Sequence, residues 1–170
     1  CADYFMDCPL TRGAPGELAE RERKLVWLIG QCRQAGVERI VVPCVDHARI
    51  TSDREFRDVV LLLRRISEVL ESVRVEIHLE TDLPADRFLE LVEACASPWV
   101  RVNYDSGNSA SLGFDVGDEW RVYSRYVGSV HIKDRRFGGS TVPLGSGDVD
   151  FNGLRRAMRR SGYDGDLTLQ

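Results

Sequence analysis

Three short motifs in this chain each contain a residue that can bind a divalent metal ion. They are Leu79-Glu80-Thr81, Tyr104-Asp105-Ser106 and Val130-His131-Ile132-Lys133-Asp134. Carboxylate and imidazole ligands such as Glu80, Asp105 and His131 suit Mn²⁺, Mg²⁺, Co²⁺ or Zn²⁺. Such a metal polarises a carbonyl or hydroxyl oxygen, and a nearby carboxylate can act as a general base on a carbon acid. Residue type and spacing alone are equally compatible with solvated rim residues or helix caps.

Each motif ends an apolar, β-rich run, and the runs alternate with helical patterns. Strands are predicted at residues 1–6, 39–45, 73–80, 98–104, 127–132 and 166–170, with a brief strand at 141–142. Helices are predicted at residues 17–35, from the cap at 51–53 to about 70, from 84 to about 95, around 119–126 and at 148–160. This alternation indicates parallel βαβ units, and βα barrels collect polar residues at the C-terminal ends of their strands.

Composition narrows the class of protein. The chain has 170 residues, 43% hydrophobic and 29% charged, with a net charge of −4. We therefore predict one domain over residues 1–170, no nucleic-acid partner and no membrane span. The five cysteines form no CxxC pair, which favours free thiols in a reducing, cytoplasmic compartment. Both ends have strand character, so we expect a piece of a longer fold.

The residues of five motifs resemble those of the sugar phosphate isomerase/epimerase family. This family has a xylose-isomerase-like TIM barrel and belongs to the AP endonuclease family 2 superfamily. The motifs are Leu79-Glu80, Asn103-Tyr104-Asp105-Ser106-Gly107-Asn108-Ser109, Val130-His131-Ile132-Lys133-Asp134-Arg135, Val142-Pro143-Leu144-Gly145-Ser146-Gly147-Asp148-Val149-Asp150-Phe151 and Gly162-Tyr163-Asp164-Gly165-Asp166-Leu167-Thr168-Leu169. The resemblance implies an α/β fold, a (β/α)8 TIM barrel present as a fragment of about strands 2 to 8. The first βα unit and the last helix would be missing.

The resemblance also implies a metal site with one altered ligand. The family's ligands are glutamate, aspartate, histidine and a second glutamate, which correspond to Glu80, Asp105, His131 and Gln170. An amide oxygen can still coordinate a metal, although weakly, but it cannot exchange a proton at ordinary pH. A symmetric epimerisation with two bases is therefore in doubt, whereas a reaction with Glu80 as the single base is not.

Four further residues are candidate substrate contacts. The resemblance implies that Asp134 and Arg135 lie near the metal or hold a substrate hydroxyl or phosphate, and a solvated basic loop is the alternative. Asn108 stands where the family often places a substrate-contacting side chain, and it is also a good turn residue. His47 follows the third predicted barrel strand, where it faces either the site or solvent.

These residues predict a metal-dependent isomerase or epimerase acting on a sugar or sugar phosphate. Glu80 would remove a proton next to a metal-bound carbonyl to give an enediolate, with a divalent metal as cofactor. The alternatives are a dehydratase or lyase, or a degenerate, non-catalytic barrel in which Gln170 marks lost chemistry. An endonuclease-IV-like phosphodiesterase needs more histidines than the three present. A homo-oligomer is compatible with the sequence.

Overall fold

The computed structural model describes residues 1–170 as alternating helices and strands. The strands are β1 Arg39–Cys44, β2 Glu76–Thr81, β3 Val100–Asp105, β4 Val127–Ile132, β5 Asp134–Arg135, β6 Thr141–Val142 and β7 Leu167–Leu169. The helices are α1 Tyr4–Asp7, α2 Pro15–Gln34, α3 Asp53–Arg65, α4 Ser67–Val73, α5 Ala85–Cys95, α6 Ser106–Leu112, α7 Val116–Tyr123 and α8 Phe151–Ser161. Two short 3₁₀ helices cover Asp46–Ala48 and Ser124–Tyr126.

Five strands form one sheet in the order β1-β2-β3-β4-β7, and β5 with β6 forms a separate antiparallel hairpin. The chain divides into two compact units, residues 1–81 with 90–101 and residues 82–89 with 102–170. None of the helices combines the length and the apolar character that a membrane crossing requires.

In the first unit β1 and β2 pair in parallel, from Arg39 opposite Glu76 to Cys44 opposite Thr81. Both strands are almost entirely buried, as expected for parallel strands covered by helices. Helix α3 begins where predicted, because the side chain of Ser52 accepts a hydrogen bond from the backbone N–H of Glu55. The apolar stripe of α3 is buried; it consists of Phe56, Val59, Val60, Leu62 and Leu63.

Two predicted elements were wrong in detail. The segment predicted as a strand at residues 1–6 contains helix α1 instead. Its Ala2 N–H donates one hydrogen bond to the carbonyl of Val41 in β1, and the chain then enters the helix at Tyr4. The strand predicted at residues 73–80 begins only at Glu76, since α4 extends to Val73 and Arg74 then adopts a left-handed conformation with φ of 56°. Asn108, described above as a good turn residue, lies in the first turn of helix α6.

In the second unit β3 pairs with β4 and β4 pairs with β7, all in parallel. The expected brief strand at 141–142 exists as β6, but it pairs with β5 outside the sheet. Strand β7 therefore lies directly beside β4, with Thr168 opposite His131. In the sheet, β7, which is followed by Gln170, is therefore the immediate neighbour of β4, which contains His131.

A buried carboxylate joins the helices of the second unit to β3. Glu119 of α7 is 6% exposed and accepts hydrogen bonds from Ser109 and from the hydroxyl of Tyr123, the latter at 2.8 Å. Ser109 in turn accepts from the Tyr104 hydroxyl at 3.3 Å. Burial raises the pKa of Glu119, and the hydrogen bonds that it accepts offset only part of this effect.

The raised pKa of Glu119 predicts that ionisation of this carboxyl group lowers the free energy of unfolding. A carboxyl group with a raised folded-state pKa stabilises the fold fully below its unfolded pKa of about 4.3, and this contribution is lost as pH rises through the folded pKa. Glu119→Gln cannot ionise, so its free energy of unfolding should rise relative to wild type between pH 4.3 and neutrality. Urea unfolding at several pH values measures this difference, with exposed Glu20→Gln as control. Parallel pH profiles for wild type and Glu119→Gln would contradict it.

Candidate metal centre

Asp105 and His131 lie opposite each other at the C-terminal ends of two paired strands. Asp105 is the last residue of β3, and its Cα partner in β4 is His131. Both residues are buried, at 5% and 6% exposure. The Asp105 Oδ1 atom accepts a hydrogen bond from the backbone N–H of Asn108 at 2.8 Å and so caps helix α6. The strand pairing and the cap together fix where the second carboxylate oxygen lies.

The other carboxylate oxygen, Asp105 Oδ2, does not take part in the helix cap. It is buried and accepts no hydrogen bond of good geometry, although the Lys133 ammonium lies 3.0 Å away and His131 Nδ1 lies 3.7 Å away. Burial raises the pKa of Asp105, but the His131 ring, the Lys133 ammonium and the Asn108 N–H outweigh burial and lower it. Asp105 is therefore an ionised carboxylate whose Oδ2 atom faces the Lys133 ammonium and is the oxygen that a metal would use.

The His131 ring is oriented from the strand layer below it. Asn103 lies two residues before Asp105 and pairs with Ser129, which lies two residues before His131. The Asn103 amide oxygen accepts from the Ser129 hydroxyl at 2.7 Å, which leaves its nitrogen 3.1 Å from His131 Nδ1. This contact holds the His131 ring in one orientation beside Asp105, as the residues behind a metal-binding histidine commonly do.

Glu80 supplies a further carboxylate. It lies in β2 directly before Thr81 and is 4% exposed. One ligand atom from each of Glu80, Asp105 and His131 lies within 4.8 Å of the others. Two carboxylates and one imidazole, with the Asp105 Oδ2 atom accepting no hydrogen bond, fit a divalent cation such as Mn²⁺ or Zn²⁺. This group is the structure's candidate metal centre.

His78 lies two residues before Glu80 in the same strand and therefore on the same face. It is completely buried, and its Nε2 atom lies 2.7 Å from Glu76 Oε2. Burial lowers the pKa of His78, while Glu76 acts in the opposite direction. His78 is thus a buried histidine on the Glu80 face of β2, held in place by Glu76.

The predicted substrate residues Asn108 and Arg135 are bonded to each other. Arg135 Nη1 donates to Asn108 Oδ1 at 2.8 Å, and its Nε and Nη2 atoms both donate to the carbonyl of Gly139. Asn108 is buried in the first turn of α6. Arg135 thus fastens the β5–β6 hairpin to α6, and substrate binding by either residue stays a prediction.

Asp134 is 1% exposed and organises the glycine-rich loop after β6. Its carboxylate accepts backbone N–H groups from Gly145 and Gly147 at 2.8 Å and from Val149 at 3.3 Å. Gly147 must lack a side chain, because a Cβ atom there would lie 2.2 Å from Asp134 Oδ1. The carboxylate predicted to contact substrate therefore holds the loop backbone in this structure.

The two remaining predicted site residues, His47 and Gln170, differ in their contacts. His47 lies in the 3₁₀ helix that follows β1 and is exposed to solvent. The Gln170 backbone N–H donates to the Ile132 carbonyl at 3.1 Å, and its side-chain oxygen accepts from Lys133 at 3.2 Å. The roles of His47 in substrate binding and of Gln170 as a weak ligand stay predictions.

Two residues that shape the centre, Asn103 and Ser129, were not among the predicted site residues. The period-two spacing of Asn103 before Asp105 and of Ser129 before His131 was a usable signal, since both pairs must share a strand face. Lys133 belongs to the motif that begins at Val130, but it was not predicted to contact Asp105. Its pairing with Asp105 depends on the fold and had no sequence signal.

The sequence profile described as "Xylose isomerase-like TIM barrel" matches residues 7–170. The chain belongs to this family. Membership confirms the resemblance inferred from the motifs and the TIM-barrel fold class, and the parallel sheet of alternating strands and helices agrees with both.

Individual relatives are sugar epimerases and structures of the same fold. The chain is 33% identical over 75 residues to L-ribulose-5-phosphate 3-epimerase UlaE of Salmonella paratyphi A, which covers 44% of this chain and 26% of that protein. The IOLI protein, solved with a bound zinc atom, superposes with a TM-score of 0.82 at 17% identity, covering 95% of this chain and 63% of that one. The structure of an L-ribulose 3-epimerase superposes with a TM-score of 0.80 at 20% sequence identity, and the match covers 97% of this chain and 58% of that one. The chain spans less than two thirds of each relative.

The role of Asp134 predicts a local effect of its removal. Asp134→Ala deletes the acceptor of three backbone hydrogen bonds, and each bond to a charged acceptor contributes about 1.5–3 kcal/mol. Amide hydrogen exchange at Gly145, Gly147 and Val149 should therefore accelerate roughly tenfold or more. Exchange mass spectrometry measures this, with exposed Asp164→Ala as control. Unchanged protection of the three amides would refute the anchoring role.

Proposed function

We propose that the protein of which this chain is a part is a metal-dependent isomerase or epimerase of a sugar or sugar phosphate. The observation that carries the proposal is the grouping of Glu80, Asp105 and His131, whose ligand atoms lie within 4.8 Å of one another. Membership of a family whose relatives include ribulose-phosphate epimerases supports the class of substrate. Because the chain covers only part of those relatives, activity and substrate are assigned here as proposals.

Asp105 and His131 act as ligands and Glu80 acts as both ligand and base. A divalent metal, when bound, supplies a Lewis acid that polarises a substrate oxygen. Glu80, buried at the end of β2, removes the proton from the carbon next to the substrate carbonyl. Asn103 and Ser129 keep the His131 ring in place during this step.

The fourth ligand position distinguishes this chain from a two-base epimerase. Gln170 can neither take nor give a proton, so the proton removed by Glu80 is returned on the same face of the substrate. This arrangement favours an isomerisation, in which one carboxylate moves a proton between neighbouring carbons. A lyase or dehydratase would use the same first step.

The metal assignment predicts that Asp105→Asn weakens Mn²⁺ binding by roughly a hundredfold or more, because a buried anionic ligand becomes neutral. Asp115→Asn is a matched control, since Asp115 caps α7 through the N–H of Asp118 just as Asp105 caps α6. Metal content after dialysis and calorimetric titration with Mn²⁺ measure the effect. Equal loss in both variants would indicate damage to the fold, and no loss in Asp105→Asn would refute the ligand assignment.

The base assignment predicts that the protein exchanges the substrate's α-proton with solvent deuterium in the presence of Mn²⁺. Glu80→Gln should retain an oxygen ligand and lose exchange by about a hundredfold or more, because general-base catalysis is removed. Nuclear magnetic resonance of a panel of ketoses and their phosphates follows the exchange. A metal-loaded wild-type protein that exchanges none of them would exclude the single-base mechanism.

The degenerate, non-catalytic barrel is the second candidate, and the Gln170 side chain is the observation that favours it. Under this alternative the wild-type protein binds no metal and Gln170→Glu restores binding, because a carboxylate is the stronger ligand. Under the proposed function the wild-type protein already binds metal. The same Mn²⁺ titration decides between them.

A further inference from the structure

We propose that Lys133 is the resident counter-cation of the candidate metal centre and that a divalent metal must displace it from Asp105 to bind. This inference rests on the metal site of the proposed function and adds a residue outside its ligand set. It concerns the exchange of one positive charge for another at the same carboxylate oxygen.

The contact between Lys133 and Asp105 occupies the atom that a metal would use. Lys133 Nζ lies 3.0 Å from Asp105 Oδ2, while Oδ1 is already committed to the N–H of Asn108. The Asp105 side chain is 1% exposed and that of Lys133 is 14% exposed. A carboxylate buried to this extent needs a compensating charge, and Lys133 provides it. A metal on Oδ2 would provide the same compensation and would repel the ammonium group.

The fold holds Lys133 in this position through its backbone and its side-chain stem. The Ser106 hydroxyl donates to the Lys133 carbonyl at 2.7 Å and accepts from the Lys133 N–H at 3.0 Å. Gly107 leaves room for the stem, because a Cβ atom there would lie 2.9 Å from Lys133 Cγ. The two residues that follow the ligand Asp105 therefore position the lysine that neutralises it.

Gln170 gives the displaced ammonium group a place to remain. Its side-chain oxygen accepts from Lys133 Nζ at 3.2 Å, so Lys133 bridges Asp105 and Gln170. A neutral amide can accept this hydrogen bond without adding a second negative charge that would bind the lysine more tightly. When a metal takes Asp105, Lys133 keeps the bond to Gln170 and stays at the rim of the site.

The choice of lysine at this position stands out in a chain that relies on arginine. Of its 23 basic residues only two are lysines, Lys24 and Lys133. Arginine would present a broad, planar fork that forms paired bonds to a carboxylate, whereas the lysine ammonium is a compact point charge on a flexible stem. A compact, flexible cation is the one that a metal ion can replace.

The test is a calorimetric titration of Mn²⁺ into chelator-treated full-length protein, with wild type compared to Lys133→Met. Methionine keeps an apolar stem and removes the charge. We expect Lys133→Met to bind Mn²⁺ about tenfold more tightly or better, because the competing cation is gone. The metal-free variant should melt a few degrees lower than metal-free wild type, since Asp105 loses its partner, and the difference should vanish at saturating Mn²⁺.

Lys24→Met is the matched control, because it removes the chain's other lysine, which lies over the Tyr4 ring in a different part of the fold. If Lys24→Met changes Mn²⁺ affinity as much as Lys133→Met does, net charge explains the effect and the exchange is overturned. Equal affinity in wild type and Lys133→Met also overturns the exchange while leaving the metal site intact. Absence of binding in both proteins overturns the metal site itself.

Gly107→Ala provides an independent variant that keeps Lys133. The added Cβ atom would lie 2.9 Å from Lys133 Cγ, 3.1 Å from Arg135 Cγ and 3.2 Å from the Lys133 carbonyl carbon. The Lys133 backbone and stem must therefore shift, which moves the ammonium group away from Asp105. Mn²⁺ affinity should therefore rise in the same direction as in Lys133→Met. If Lys133→Met does not fold, an unchanged affinity in Gly107→Ala overturns the proposal.

Discussion

A carboxylate that is almost completely removed from water must have its charge compensated, and Asp105 imposes this requirement on the second unit of the chain. One oxygen takes the N–H of Asn108 and thereby starts helix α6. The other oxygen requires a cation. The cap of α6 and the approach of Lys133 both satisfy this single buried negative charge, and the strand register places His131 opposite it.

The layer of side chains beneath that charge orients the ligands. Asn103 and Ser129 face the same side of their strands as the residues above them and are joined by a 2.7 Å hydrogen bond. The Asn103 amide oxygen bonds to Ser129 in this layer, and the Asn103 amide nitrogen contacts the His131 ring above it. Polar groups in this position are costly unless they are fully bonded, so the network specifies one geometry for the ligands above it.

The sequence predicted the strand ends and their order well, because hydrophobic periodicity and residue type are local properties. The runs before Glu80, Asp105 and His131 are strands, and the helix capped by Ser52 begins where expected. The strand predicted at residues 1–6 was wrong, since a short apolar run carries no information about whether a neighbour will pair with it. The partners of Lys133, Arg135 and Asp134 could not be predicted, because they depend on how loops return to the ends of distant strands.

Two consecutive residues beyond the His131 strand hold the following loop from opposite ends. Arg135 binds the carbonyl of Gly139, and Asp134 binds the amides of Gly145, Gly147 and Val149. Nearly all of these contacts are to backbone atoms, so they constrain the path of the loop much more than its side chains. The intervening residues, including exposed Phe137 and Leu144, can vary while the anchors persist. Substitutions in this segment can therefore change the surface beside the candidate metal centre without disturbing the residues that form it.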